Sequence, residues 1–186
     1  MREGARMNEK DLMHGVNWSG ENLSGWIVSE KLDGVRVVWD GNQLWTRGGN
    51  VVKCPAGFTD GLPSNVKLDC ELWAGRGQFQ KARVAAQYGK WSDGVKLAIF
   101  DALLDAKFSY EERLEYARIC SRFCADAFAV QTIRADSTKH ALIMLDNILF
   151  WGGEGIIARR NDVPYSAGRS RSILKLFARE QAAPIS

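Results

Sequence analysis

The residues with the clearest chemical potential run together as Ser29-Glu30-Lys31-Leu32-Asp33-Gly34-Val35-Arg36. An amine, two kinds of carboxylate, a glycine and a guanidinium are packed between two strand-like runs. In a cleft, the Lys31 amine could attack a phosphorus atom, while Gly34 allows a tight turn and Arg36 reaches a sugar or a phosphate. A free lysine amine is almost wholly protonated at neutral pH. Nucleophilic use therefore requires a site that favours the neutral form or removes a proton during attack. The same string also describes an ordinary polar hairpin turn, because Lys-x-Asp-Gly is short enough to arise by chance.

Such residues need a frame, and hydrophobic periodicity supplies one. Residues 26–31 and 34–40 alternate as strands do, and Asp40-Gly41-Asn42 is a hairpin signal leading into Gln43–Arg47. Val66–Trp73 predicts another strand, followed by a glycine-rich turn and a short helix from Phe79 to Tyr88. The apolar run Val95–Asp101 predicts a buried strand. Ser109 caps a helix reaching about Cys124, with Glu112 completing a capping box. Phe128–Ile133 reads as a strand, Ser137 caps a helix to about Phe150, and Gly155–Arg159 and Ser172–Phe177 close the pattern as strands. Antiparallel sheets flanked by a few helices, an α+β domain, are the expected architecture. Residues 1–24 are polar and poorly patterned and read as a lead-in; residues 25–180 form one unit, and 181–186 a tail.

Composition sets the outer limits. With 186 residues, 46% hydrophobic and 25% charged, the chain suits one large globular domain and not a disordered segment. The net charge of +3 does not announce a nucleic-acid binder. From Arg159 to Arg179, however, six basic residues face one acid, Asp162, a cluster that could meet phosphates or simply be solvated. Cys54, Cys70, Cys120 and Cys124 contain no Cys-x-x-Cys pair, so buried free thiols are expected in place of a disulfide framework or zinc site. Met1 to Gly15 has no apolar signal core, and no run is long enough to span a membrane, which together predict a cytoplasmic protein that does not engage membranes.

Read in order, the motifs resemble those of the covalent nucleotidyltransferases: DNA ligases, RNA ligases and capping enzymes. Lys31-Leu32-Asp33-Gly34-Val35-Arg36 matches the nucleophile motif KxDGxR, and Thr46-Arg47-Gly48-Gly49 looks like the next ligase element. Leu68-Asp69-Cys70-Glu71-Leu72 resembles DGEL, and Ile99-Phe100-Asp101 the strand carrying an adenine-stacking aromatic. Glu154-Gly155-Ile156-Ile157 is similar to the EGxxx element, and Leu174-Lys175-Leu176 to the last one. The phrases GWIVSEKLDGVRVVWDG and LDCELWAGRGQF resemble most the minimal bacterial and phage-type ATP-dependent DNA ligases.

The resemblance implies the ligase and capping-enzyme catalytic core, ATP-grasp-like, with functions in DNA repair, replication and recombination. Lys31 would attack the α-phosphorus of ATP, release pyrophosphate and carry AMP to the 5′-phosphate of nicked double-stranded DNA. Phe100 would stack on adenine, and Arg36 and Glu71 would hold the ribose. Arg47 and Arg169 match arginines that contact the nucleotide or the nick phosphate, and Arg169 stands at the family spacing before Lys175. Ser29, where the adenine amine is read, Glu30 beside the lysine, Glu154 and Lys175 complete the nucleotide-binding set. Lys175 and a bound metal would favour the neutral amine. Asp33, Glu71 and Glu154 oppose it unless Mg²⁺ or Mn²⁺ neutralises them, so these carboxylates are the expected metal ligands. A monomer is expected, with a separate OB-fold or clamp protein as a conceivable partner.

Three departures qualify that picture. The DGEL glycine is Cys70, which costs about 1 kcal/mol or more if the position needs φ > 0. The final KxK is Lys175-Leu176-Phe177, so one cation is replaced, unless Arg171 or Arg179 substitutes. Only eleven residues follow Lys175, too few for the OB-fold domain of family ligases, which predicts its absence from this chain. A degenerate domain that binds ATP or nicked DNA without turnover is therefore one alternative, and an RNA ligase or capping-type transferase another.

Overall fold

The computed structural model describes residues 9–178, and Arg179, named above as a substitute cation, lies outside them. After one 3₁₀ turn at Glu9–Asp11 the chain forms strands β1 (Met13–Asn17), β2 (Ile27–Lys31), β3 (Val35–Trp39), β4 (Leu44–Thr46) and β5 (Leu68–Trp73). Helix α1 (Phe79–Tyr88), β6 (Lys96–Ala102) and α2 (Tyr110–Ser121) follow, then β7 (Ala127–Ala129), β8 (Thr132–Arg134), α3 (Thr138–Phe150), β9 (Gly155–Arg159) and β10 (Gly168–Phe177). These build two five-stranded sheets, one ordered β1-β10-β9-β2-β8 and the other β4-β3-β5-β6-β7. Most pairs are antiparallel, but β1 runs parallel to β10 and β7 parallel to β6. The α+β class follows as the sequence predicts.

Helix starts are locally encoded. The Ser109 hydroxyl accepts from the Glu112 amide and the Glu112 carboxylate accepts from the Ser109 amide, a reciprocal cap that opens α2. Ser137 caps α3 through the His140 amide. Helices α1 and α2 pack on the second sheet around Val37, Cys70, Leu97 and Ile99, whereas α3 covers the first sheet over Val28, Ile156, Ala158 and Leu174. Each sheet thus spends one face on a helix-covered core and turns the other toward its partner sheet. Among the described residues no helix is long and apolar enough to cross a membrane.

Five expectations change. Residues 1–24 are not merely a lead-in, because Met13–Asn17 joins the first sheet as an edge strand beside β10. The runs 26–31 and 34–40 are strands, but they do not pair with each other: β2 and β3 lie in different sheets. Lys31–Gly34 is therefore a crossover, not a hairpin turn. The segment Phe128–Ile133 likewise divides into β7 and β8, which also belong to different sheets. Helix α2 stops at Ser121, short of Cys124, and the final strand begins at Gly168, earlier than Ser172.

Candidate active site

Strand register explains which side chains share the cleft between the sheets. Across β2, β9 and β10, Lys31 stands opposite Gly155 and Gly155 opposite Phe177. The next rungs on that face are Ser29–Ile157–Lys175 and Ile27–Arg159–Ile173. Because directly opposed residues point to the same face, the sequence period of two sends Ser29, Lys31, Ile157, Arg159 and Lys175 into one cleft while Val28, Ile156 and Leu174 face α3. From the other sheet, Arg36 lies opposite Glu71, and both reach the cleft with Arg47 and Phe100. A bulge between Asp69 and Cys70 leaves Phe100 between the two paired positions of β6, which aims its ring inward.

The Lys31 amine donates to the Glu154 carboxylate at 2.6 Å, and the Phe177 ring centroid lies 5.5 Å from the same nitrogen. Gly34 is required by close approach, not by its turn. A Cβ there would run into the Leu72 carbonyl oxygen and come within 2.8 Å of the Glu71 side chain. Arg36 is held from several sides. It donates to both Asp69 oxygens at 2.9 and 2.6 Å and to the Met13 carbonyl at 2.8 Å, and its remaining amino nitrogen lies 3.4 Å from His14 Nδ1. Asp69 is fully buried and also accepts from the Tyr165 hydroxyl.

Electrostatics follow from this crowding. Desolvation pushes the Glu71 carboxyl up to about 8, although Lys31 and Arg36 pull it down. Lys175 is lowered, first by burial and then by the neighbouring charges of Lys31, Arg36, Arg169 and Arg47.

Of the residues the sequence singles out, Ser29, Glu30, Lys31, Arg36, Arg47, Glu71, Phe100 and Lys175 line this cleft. Glu30 does so only at the edge, since its carboxylate forms a two-pronged pair with Arg76 at 2.7 and 2.8 Å. Asp33 and Glu154 line an adjoining hollow with Glu30 and Arg76. Arg169 is exposed and does not line the cleft, though its charge reaches Lys175. Among the described residues no group of three or more His, Cys, Asp or Glu side chains could cage a metal ion. Glu71 and Glu154 both act on the Lys31 charge or on each other, whereas Asp33 opens to the other hollow.

The φ > 0 condition attached to Cys70 is not met, and the residue is tolerated. Among the described residues none other than glycine has a positive φ, and the Cys70 side chain is buried in the core on the face opposite Glu71. It brings neither strain nor a thiol to the cleft. The sequence reading also misses Met13 and His14 on β1 and the Asp69–Tyr165 support of Arg36, and it names Arg159 on β9 only as part of a basic cluster. Arg159 had a signal, standing two positions beyond Ile157 on the same face of β9. Its guanidinium lies 5.0 Å from the Phe100 ring centroid and 5.1 Å from that of Tyr110.

No protein-family profile matches the chain. A DNA ligase of Haemophilus influenzae is 33% identical over 171 residues, which cover 89% of this chain and 63% of that protein. The chain thus spans less than two thirds of the length of the curated relative it matches. A solved structure described as a Lig E DNA ligase superposes with a TM-score of 0.81 at 28% identity, covering 90% of this chain and 68% of that one. The DNA ligase-adenylate of Chlorella virus gives 0.72 at 19% identity, over 89% and 68% of the two chains. The ATP-dependent ligase of bacteriophage T7 gives 0.68 at 12%, over 90% and 68%; these last two speak to the fold alone. In sequence the chain is thus similar to a DNA ligase, and in fold to solved DNA ligases, over about two thirds of their length.

Proposed function

We propose that the chain is the catalytic core of an ATP-dependent DNA ligase, with Lys31 as the nucleophile. The observation that carries this reading is the placement of the Lys31 amine against Glu154, in a cleft whose other walls bear Arg36, Glu71, Phe100 and Lys175. Residues 25–180, extended by β1, act as one nucleotidyltransferase unit.

Adenine enters beside Phe100 and Ile157, with Ser29 at its edge, and the ribose meets Arg36 and Glu71. The Lys31 nitrogen bonds to the α-phosphorus as the bond to pyrophosphate breaks, and its proton passes to the Glu154 carboxylate already joined to it. Lys175 steadies the α-phosphate. Glu71 and Glu154, together with phosphate oxygens of the nucleotide, would hold a magnesium ion, which would supply charge neutralisation. Arg47 lies where this cleft adjoins a second one lined by Thr46, Asn50 and Arg83, and Arg36 and Glu71 border both. That second cleft suits the 5′-phosphate end of nicked DNA, to which AMP passes before the 3′-hydroxyl displaces it.

The test uses α-labelled ATP, Mg²⁺ and the purified chain, followed by denaturation, with Lys31→Ala alongside. Label surviving denaturation on the unaltered chain alone supports the reading, and transfer of that label to nicked duplex DNA extends it to ligation. ATP binding without covalent label would refute it.

A further inference from the structure

Phe177 occupies the place where the sequence pattern calls for a second lysine, and the mechanism above leaves it without a role. Its surroundings are specific. Phe177, Gly155 and Lys31 form one rung across β10, β9 and β2, all directed to the same face. The middle member has no side chain, and none could fit, because a Cβ on Gly155 would strike the Leu176 carbonyl oxygen. Phe177 and Lys31 flank Gly155 on the two neighbouring strands. The amine comes to 5.5 Å from the ring centroid. A cross-strand aromatic over a glycine is a recognised way to pin a sheet locally, and here the ring also meets a cation.

Building on the ligase reading, we infer that Phe177 is a positioning residue for Lys31. Its ring and the Glu154 carboxylate hold the amine from two directions, so that the long side chain keeps one conformation at the cleft wall. Lys31 otherwise has several rotamers to lose before attack, and restricting them beforehand raises the rate without altering how ATP is bound. An aliphatic residue would cover Gly155 equally well but offers no ring face. A lysine at this position would reach phosphate instead and leave the amine held by Glu154 alone. In this chain phosphate contact thus falls to Lys175, and position 177 serves the nucleophile.

Phe177 is more than one-third exposed, so substitutions there should cost little stability, which a thermal melt of each variant checks. The first readout is independent of turnover: the Lys31 Cε–Hε signals in a ¹³C-correlated NMR spectrum of the full chain, identified by their loss in Lys31→Arg. Ring-current shielding should displace them upfield in the unaltered chain and in Phe177→Tyr, and the displacement should vanish in Phe177→Leu. The second readout is single-turnover formation of lysyl-AMP. Phe177→Leu should slow it about two- to fivefold with the ATP concentration dependence unchanged, and Phe177→Tyr should restore it. Lys31 signals insensitive to Phe177→Leu would overturn the inference, as would a Phe177→Lys variant that adenylates faster than the unaltered chain. If the unaltered chain forms no lysyl-AMP, the ligase reading fails while the NMR result still decides the Phe177 contact.

Discussion

Lys31 and Glu154 meet at 2.6 Å although 123 positions separate them, because β2 and β9 are paired neighbours and Lys31 lies opposite Gly155. Their side chains remain 24% and 34% exposed, so water screens the pair and its worth to folding is small. Glu154→Gln should therefore leave the melting temperature nearly unchanged. It should slow lysyl-AMP formation on the order of 100-fold or more, the usual cost of losing a proton acceptor. Thermal melts and single-turnover labelling on the same preparation check both halves.

Asp69 behaves oppositely. It is fully buried and satisfies two donors of Arg36 and the Tyr165 hydroxyl. Asp69→Ala strands a largely enclosed guanidinium without its counter-charge, a loss of about 3–5 kcal/mol. For a domain of this size that lowers the melting temperature by on the order of 10 °C. With Arg36 released, apparent ATP affinity should weaken as well, which isothermal titration with a non-hydrolysable analogue would measure.

Glu71 gives a pH signature. Desolvation raises its carboxyl from an ordinary 4.5 to about 8 in the folded chain, against the pull of Lys31 and Arg36. Between those values the folded state keeps a proton that the unfolded state has lost, so the contribution of Glu71 to stability declines as pH rises through that window. Glu71→Gln cannot ionise and should lack this decline. Relative to the unaltered chain, its melting temperature should be higher at pH 8.5 than at pH 5. A difference independent of pH would contradict the assignment.

The parts of this architecture that depend on neighbours in sequence were legible from it. The capping box at Ser109, the α1 boundaries and the period of two in β2 each require only a few consecutive residues. Sheet membership was not legible, because β2 and β3 alternate alike whether they pair with each other or with distant strands. The pairing is decided by β8, β9 and β5 far along the chain. For the same reason β1 went unnoticed: His14 and Met13 show no strong pattern until β10 lies beside them. The nucleophile motif pointed to Lys31 and Arg36 and the DGEL-like element to Glu71, and all three line the cleft, yet nothing local said that Arg36 would be spent largely on Asp69.

Two glycines in adjacent motifs separate close approach from convenience. Alanine at Gly34 collides with the Leu72 backbone and crowds Glu71, whereas alanine at Gly48 meets nothing nearer than 3.5 Å. Gly34→Ala should cost both stability and adenylation, because relieving the collision moves β3 away from β5 and pulls Arg36 from Glu71. Gly48→Ala should melt within about 0.5 kcal/mol of the unaltered chain. Parallel denaturant titrations compare them directly.

Cys70 offers the sharpest reversal of what motif matching suggests. Restoring the glycine of the DGEL pattern looks like a repair, yet Cys70 has ordinary strand backbone and its side chain fills the core between β3, β6 and the helices. Cys70→Gly removes that packing and frees the unfolded backbone, together about 2 kcal/mol of destabilisation. At 2–4 °C per kcal/mol for a chain of this length, the melting temperature should fall by about 5 °C. Adenylation at temperatures below the transition should not accelerate, since Glu71, one residue on, points to the opposite face and keeps its place opposite Arg36. Faster lysyl-AMP formation in Cys70→Gly would mean that position 70 reaches the cleft after all.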